Sequence, residues 1–275
     1  MNTSQSMNIN KPSYKNCPIF VLGTGRCGTH LMYELFNEMN GFSAHHILHL
    51  DADSFYRYAK WNNLNIDLGG LISVREEKMI SAQNHNTVYM EANPYLSFHV
   101  DELYKHFNAK FIFIIRNPKD VINSHVKKGW YENRLDRIDS NKPIGFQYKM
   151  NTNHFFGRII PSQAEFQRWS GLTRIGKLSW MWDNVNTRLH HDLAKIPDKN
   201  KYFLKVEDLT HVEFHNVLRH FELSGDLSEL CFRNITQRRP GKSPSYMGSM
   251  KWSNEDQFQF NSETANSKKI FGYDK

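Results

Sequence analysis

Residues 19–30 read IFVLGTGRCGTH. Four apolar residues, Ile19 to Leu22, run into Gly23, and the helical pattern LMYELFNEM opens directly after the turn. This predicts a strand, a tight glycine turn, and a helix over 29–39 ended by Asn40-Gly41. A helix N-terminus presents unpaired N–H groups and the positive end of its dipole, so the turn suits an anion. Two templates share its glycines. GTGRCG spells G-x-G-x-x-G, the dinucleotide fingerprint. GTGRCGTH keeps the spacing of G-x-x-x-x-G-K-[ST], but Thr29 and His30 stand where a triphosphate loop needs Lys and a Mg²⁺-binding hydroxyl.

Working outward, TVYMEANPY (87–95) reads as a short strand entering a turn at Pro94, and SFHVDELYKHF (97–107) has helical spacing. FIFIIRNPKDVINSH (111–125) begins with five consecutive apolar residues, the signature of a strand buried on both faces, as in a parallel sheet. Pro118 then suits the first turn of a helix, where its missing N–H costs nothing. A long helix is expected over 177–195, from Leu178, Met181, Trp182, Val185, Leu189 and Leu193, with Trp180 and Trp182 in the core. KYFLKVEDL (201–209) is a further strand, 211–222 a helix, 238–251 a Gly/Pro/Lys-rich loop, and the C-terminus a polar helix. Residues 42–87 are mixed: REEK (75–78) reads as helical, while the histidines of FSAHHILHLD argue against a buried parallel strand. Residues 130–176 read as irregular, with 165–175 a mobile segment, and 1–16 as a flexible tail. Strand–turn–helix units in alternation predict one α/β domain over 17–275, with a central, mostly parallel sheet flanked by helices.

The chain has 275 residues, 39% of them hydrophobic and 13% aromatic, enough for a core of its own. Its net charge of +7 suits an anionic ligand, or simply keeps the surface solvated. There is no run of four or more consecutive Lys/Arg and no RNA-binding motif, so nucleic acid is not an expected partner. Cys17, Cys27 and Cys231 are too scattered for a disulfide framework or zinc knuckle. The polar N-terminus and the lack of a long apolar stretch predict a cytoplasmic protein with no membrane partner.

Neither nucleotide template is completed elsewhere. The dinucleotide reading needs an acidic residue at the end of a second strand, and Asp51 and Asp53 follow a poor strand candidate. The triphosphate reading lacks its Lys and its metal-holding carboxylates; a nucleotide kinase or NAD-binding oxidoreductase remains an alternative. IFVLGTGRCGTH also resembles the 5′-phosphosulfate loop of sulfotransferases that use 3′-phosphoadenosine 5′-phosphosulfate (PAPS), with Arg26, Cys27, Gly28 and Thr29 on the pattern [KR]-[SA]-G-[ST]. About 90 positions on, Arg116, Asn117, Pro118, Asp120, Val121 and Ser124 resemble that family's 3′-phosphate motif, R-[ND]-P-x-D-[VA]-x-x-S. KVEDL (205–209) and KWSNEDQFQF…FGY near the C-terminus resemble later family segments.

The resemblance implies a P-loop-like sulfotransferase fold and an enzyme that moves a sulfuryl group from PAPS to a hydroxyl or an amine or carbamoyl nitrogen, without a metal. A donor with two separated phosphates needs two anion sites at neighbouring strand ends. The expected donor-binding residues are Thr24, Gly25, Arg26, Cys27, Gly28, Thr29, His30, Arg116 and Ser124, with Arg239 and Lys242 first among the basic loop residues Arg238, Arg239, Lys242 and Lys251. Arg26 is expected to stabilise the leaving phosphate electrostatically, since an Arg does not give up its proton. Glu91 in VYMEANPYL resembles a family Glu that deprotonates the acceptor, and His46 and His45 are the alternative bases. Asp51, Asp53, Phe55, Tyr56 and Phe155, with Tyr58 nearby, are expected to meet a small, polar acceptor, such as a cationic guanidinium alkaloid. Residues 130–176, with His154, Phe156 and Arg158, are expected to form a lid. A nucleotide-binding module without turnover is the non-enzyme alternative.

Overall fold

A computed structural model describes residues 17–131, 156–238 and 251–274. The expected tail, Phe155, His154, Arg239, Lys242 and most of the 238–251 loop lie outside the described residues.

Five parallel strands form one sheet in the order β2-β3-β1-β4-β5. They are β1 (Ile19–Leu22), β2 (Phe42–His46), β3 (Val88–Ala92), β4 (Lys110–Ile115) and β5 (Lys201–Lys205). β1 lies at the centre, with Phe20 opposite Glu91 on β3 and Leu22 opposite Phe113 on β4. Every side chain of β1 is fully buried, as is nearly all of β4, because helices cover both faces of the sheet.

The helices are α1 (Thr29–Asn37), α2 (Leu50–Trp61), α3 (Gly69–Asn84), α4 (Val100–Phe107), α5 (Pro118–Lys127), α6 (Gln163–Ser170), α7 (Arg174–Ala194), α8 (His211–His220), α9 (Glu229–Arg238) and α10 (Asn254–Phe271). A 3₁₀ turn, Pro94–Phe98, precedes α4, so the expected helix over 97–107 begins later than its spacing suggests. Asn117 caps α5 by accepting from the Lys119 N–H, and Pro118 fills the first turn. Trp182 packs edge-on against Phe271, joining α7 to α10, and Trp180 lies in a second core with Trp169.

Three segments depart from the expectation. FSAHH is a parallel strand after all: β2 is the edge strand, half-buried throughout, so it tolerates the polar residues that a central strand would not. α2 was not anticipated. The expected mobile segment, 165–175, instead holds most of α6, whose Trp169 is buried against Tyr131, and the start of α7.

The chain crosses from β1 to β2 on one side of the sheet and returns from β3 past β1 to β4 on the other, so the C-terminal end of β1 is a topological switch point, where open α/β sheets bind ligands. The glycine turn begins there.

Candidate functional site

The turn is shaped by close approach. A Cβ on Gly23 would meet Ile114 O at 2.5 Å, and one on Gly28 would meet Val206 Cγ2 at 2.8 Å and Ile114 Cδ1 at 2.9 Å. Gly28 has φ +114 and Arg26 φ +58, both left-handed values. No side chain caps α1, so its first N–H groups are left to a ligand. Thr24 is buried and its hydroxyl donates to Gly25 O at 2.9 Å. Cys27 turns its thiol into the core, where burial raises its pKa, and therefore offers a ligand only its backbone. Ser97 fastens the turn from below, accepting from the Gly23 N–H at 3.1 Å with its hydroxyl 2.8 Å from Gly23 O.

The two motifs meet. Arg26 Nε donates to Ser124 Oγ at 2.8 Å across the gap between the turn and α5. Arg116 Nη1 reaches Arg26 O at 3.5 Å, and its Nη2 donates to Asp120 at 3.1 Å. Burial and the neighbouring Arg116 lower the pKa of Arg26, a guanidinium pair that an anion between them would relieve. Glu207 bridges the later segments: it accepts from the Asn117 N–H at 2.7 Å and from the Tyr273 hydroxyl at 2.8 Å. Trp252 donates to Asn123 on α5 at 3.0 Å.

Glu91 is fully buried in a saturated network. Its Oε2 accepts from Arg75 Nε at 2.9 Å and Tyr89 at 2.8 Å; its Oε1 accepts from Arg75 Nη2 at 2.9 Å and Asn93 at 2.8 Å. Four donors fill the roughly four acceptor positions of a carboxylate, so in this arrangement it has none left for an acceptor proton. Asp53, 1% exposed, shares the network through Arg75 at 2.9 Å and Asn93 at 2.7 Å. Burial and the nearby Glu91 raise its pKa, opposed by Arg75, and the two carboxylates hold the Arg75 guanidinium firmly charged. The expectation that Asp53 meets the acceptor therefore fails: the carboxylate is spent on Arg75.

His45 and His46 point to opposite sides of β2, as successive strand residues must. His45 lies against Tyr89 at 5.3 Å, on the Glu91 side, with its pKa lowered by burial. His46 meets His30 at 4.7 Å and Tyr33 at 5.9 Å, beside the start of α1. Its pKa falls to about 4, first through burial, then through His30, with Arg26 also contributing. It is a neutral imidazole at neutral pH. His30 itself pairs with Glu34 at 3.3 Å.

Of the expected acceptor residues, Phe55 and Tyr58 meet Phe156 at 5.4 and 5.3 Å. Tyr56 turns away, its hydroxyl against Gly70 at the start of α3. Asp51 is exposed in the first turn of α2. Arg158 is buried and donates to Gly129 O at 3.0 Å. The sequence reading missed Ser97 and Arg75: both act through partners remote in sequence. Among the described residues no group of three or more His, Cys, Asp or Glu side chains is placed to hold a metal ion. The dinucleotide reading finds no carboxylate at the end of β2, whose last residue is His46.

A family model described as "Sulfotransferase domain" matches residues 17–239. The chain belongs to the sulfotransferase family. Its sheet resembles that of sulfotransferase STF9 from Mycobacterium avium, at 12% identity and a TM-score of 0.56, over 93% of this chain and 77% of that one. The sulfotransferase domain of the Synechococcus PCC 7002 olefin synthase aligns at 15% identity and a TM-score of 0.47, over 96% and 98%. The sulfotransferase domain of the curacin biosynthetic pathway aligns at 12% and 0.45, over 92% and 99%. No curated protein matches the sequence. The sulfotransferase has no helix among its described residues that is long and apolar enough to cross a membrane.

Proposed function

We propose that this sulfotransferase moves a sulfuryl group from PAPS to a hydroxyl or an amine or carbamoyl nitrogen of a small molecule. The observation that carries the reading is the Arg26–Ser124 hydrogen bond, 2.8 Å, which joins the two phosphate motifs into one cationic site at the switch point. The uncapped start of α1, with Gly25, Gly28, Thr29 and Arg26, would hold the 5′ end of the donor. Arg116 and Ser124 would hold the 3′-phosphate. When bound, the donor supplies an electrophilic sulfur and a phosphate leaving group: the acceptor oxygen or nitrogen bonds to sulfur as the sulfur–phosphate oxygen bond breaks. The protein's part is positioning, charge stabilisation and removal of the acceptor proton.

For that proton the geometry favours His46 over Glu91. His46 is neutral, half-buried and beside α1, whereas every acceptor position of Glu91 is occupied. Glu91 then serves as a positioning residue, fixing Asn93, whose side chain accepts from the Tyr95 N–H and starts the 3₁₀ turn that carries Ser97. A guanidinium acceptor loses its expected carboxylates, since Asp53 and Glu91 are both bound to Arg75.

Thermal-shift titration tests the donor reading. A ligand that binds only the native state raises its stability with concentration. 3′-Phosphoadenosine 5′-phosphate (PAP) is expected to raise Tm far more than AMP, NAD or Mg·ATP, and Arg116→Ala to lose that shift. A larger shift with NAD or Mg·ATP overturns the reading.

A further inference from the structure

Beside the glycine turn lie two buried basic side chains outside the proposed donor-binding set. Arg57 on α2 is 1% exposed, and its Nη1 donates to Pro94 O at 2.7 Å. Its guanidinium stacks over Phe98 at 4.7 Å, yet Nε and Nη2 have no hydrogen-bond partner. His125 on α5 is 2% exposed and packed on Trp130 at 4.6 Å; its ring nitrogens make no well-formed hydrogen bond, and the backbone of Gly25 is the polar group that acts on it. Gly25 lies between His125 and Pro94, whose carbonyl Arg57 holds: a Cβ there would sit 3.6 Å from Pro94 and 3.9 Å from His125 Cε1.

Unpaired buried cations are costly and rare, because desolvation is repaid only by an opposite charge or a full set of hydrogen bonds. No described carboxylate supplies that charge. Asp53 and Glu91 are bound to Arg75, and Glu102 pairs with Lys60. The charged groups that act most on His125 are all cationic: Arg26, Arg57 and Arg158. They and burial lower its pKa to about 3, while burial pulls Arg57 down to about 10; both shifts are those of a basic pocket lacking its anion. Among the described residues the charge around His125 is thus positive, the opposite of what a cationic acceptor requires.

We propose that Arg57 and His125 form an oxyanion subsite beside the glycine turn, filled during turnover by a carboxylate on the acceptor. This rests on the sulfotransferase reading. Arg57 presents two free N–H groups for a planar oxyanion, and a neutral His125 adds one. The same chemistry would fit the sulfuryl group of the donor, so the test separates the two sources.

Isothermal titration with benzoate, benzamide and benzamidinium, each with and without PAP, reads the subsite directly. Benzoate is expected to bind at least ~10-fold tighter than either analogue, and Arg57→Gln to remove that preference while PAP affinity stays within about two-fold. If Arg57→Gln instead weakens PAPS by ~10-fold while sparing PAP, the oxyanion is the sulfuryl group. Equal binding of the three probes, with PAPS and PAP affinities both unchanged in Arg57→Gln, overturns the subsite. Because the substitution removes an unpaired buried charge, Tm is not expected to fall. Should Arg57→Gln fail to fold, Arg57→Lys, which keeps the charge but loses the fork, and His125→Gln carry the same comparison. Wild-type protein that binds benzoate selectively but not PAP would sink the donor reading and leave the oxyanion subsite standing.

Discussion

Glu91 and His46 stand near the ends of neighbouring strands, and their surroundings give them opposite capacities. Glu91 is locked to Arg75 by two hydrogen bonds of 2.9 Å in a site closed to water. Removing one partner of a buried ion pair costs about 3–5 kcal/mol, so Glu91→Gln is expected to lower Tm by roughly 10 °C. His46 is half-exposed and holds no such pair. His46→Gln is expected to leave Tm nearly unchanged and to slow donor hydrolysis by about 10²-fold, the lower range for loss of a general base. The pH profile distinguishes them further. A base works unprotonated, so activity is lost as pH falls through its pKa, and the kcat/KM for PAPS is expected to hold until pH approaches about 4. In the donor complex the bound negative charge favours the imidazolium, so the corresponding limb of kcat moves to higher pH. If Glu91→Gln keeps wild-type Tm and loses all hydrolysis, the two roles are reversed.

At the scale of elements, the strand–turn–helix at 19–37 was legible because each local signal agreed: an apolar run, glycines at fixed spacing, then helical periodicity. β4 and α5 were legible for the same reason. The segment 42–87 was not. β2 is an edge strand with a half-buried pattern, and α3 interrupts its own apolar stripe with Arg75, buried among Leu71, Ile72 and Met79 because its carboxylate partners come from α2 and β3. No local pattern can announce a charge whose partner lies 16 or 22 positions away. α6 was missed because Trp169 is its one buried residue. In the candidate site the backbone-shaped part was legible and the network behind Glu91 was not. Two of the turn's three glycines make this testable. Gly25→Ala meets only ordinary contacts of 3.6 Å, whereas Gly28→Ala drives a Cβ to within 2.9 Å of both Val206 and Ile114. Both suffer left-handed strain of about 1–3 kcal/mol. Gly28→Ala is further expected to displace the start of α1 and weaken PAP by at least ~10-fold, beyond the loss in Gly25→Ala. Equal PAP affinities in the two variants would show that the contact with Val206 does not set the loop.

Across the whole molecule, the proposed donor site draws on residues from nearly the full length of the chain. Arg26 comes from the first turn, Ser124 and Arg116 from the central strand–helix unit, and Glu207 from the turn after β5. The C-terminal residues close the arrangement. Tyr273, following α10, donates to Glu207 Oε2 at 2.8 Å, and Glu207 Oε1 in turn accepts from the Asn117 N–H at 2.7 Å. Burial and Glu207 hold the Tyr273 phenol well above its ordinary pKa, so it remains a donor throughout the working range. Lys205 lies over the Tyr273 ring at 4.8 Å and fixes it from the other side. The tail thus sets the position of Glu207, Glu207 orients the backbone at Asn117, and Asn117 adjoins the Arg116 guanidinium. Tyr273→Phe keeps the ring and removes one hydrogen bond to a charged group, a loss of about 1.5–3 kcal/mol if nothing replaces it. It is expected to lower Tm by several degrees and to weaken PAP several-fold, while AMP, which lacks the 3′-phosphate, binds as before. Equal weakening of AMP and PAP would mean that the tail supports the fold as a whole rather than the 3′-phosphate end of the site.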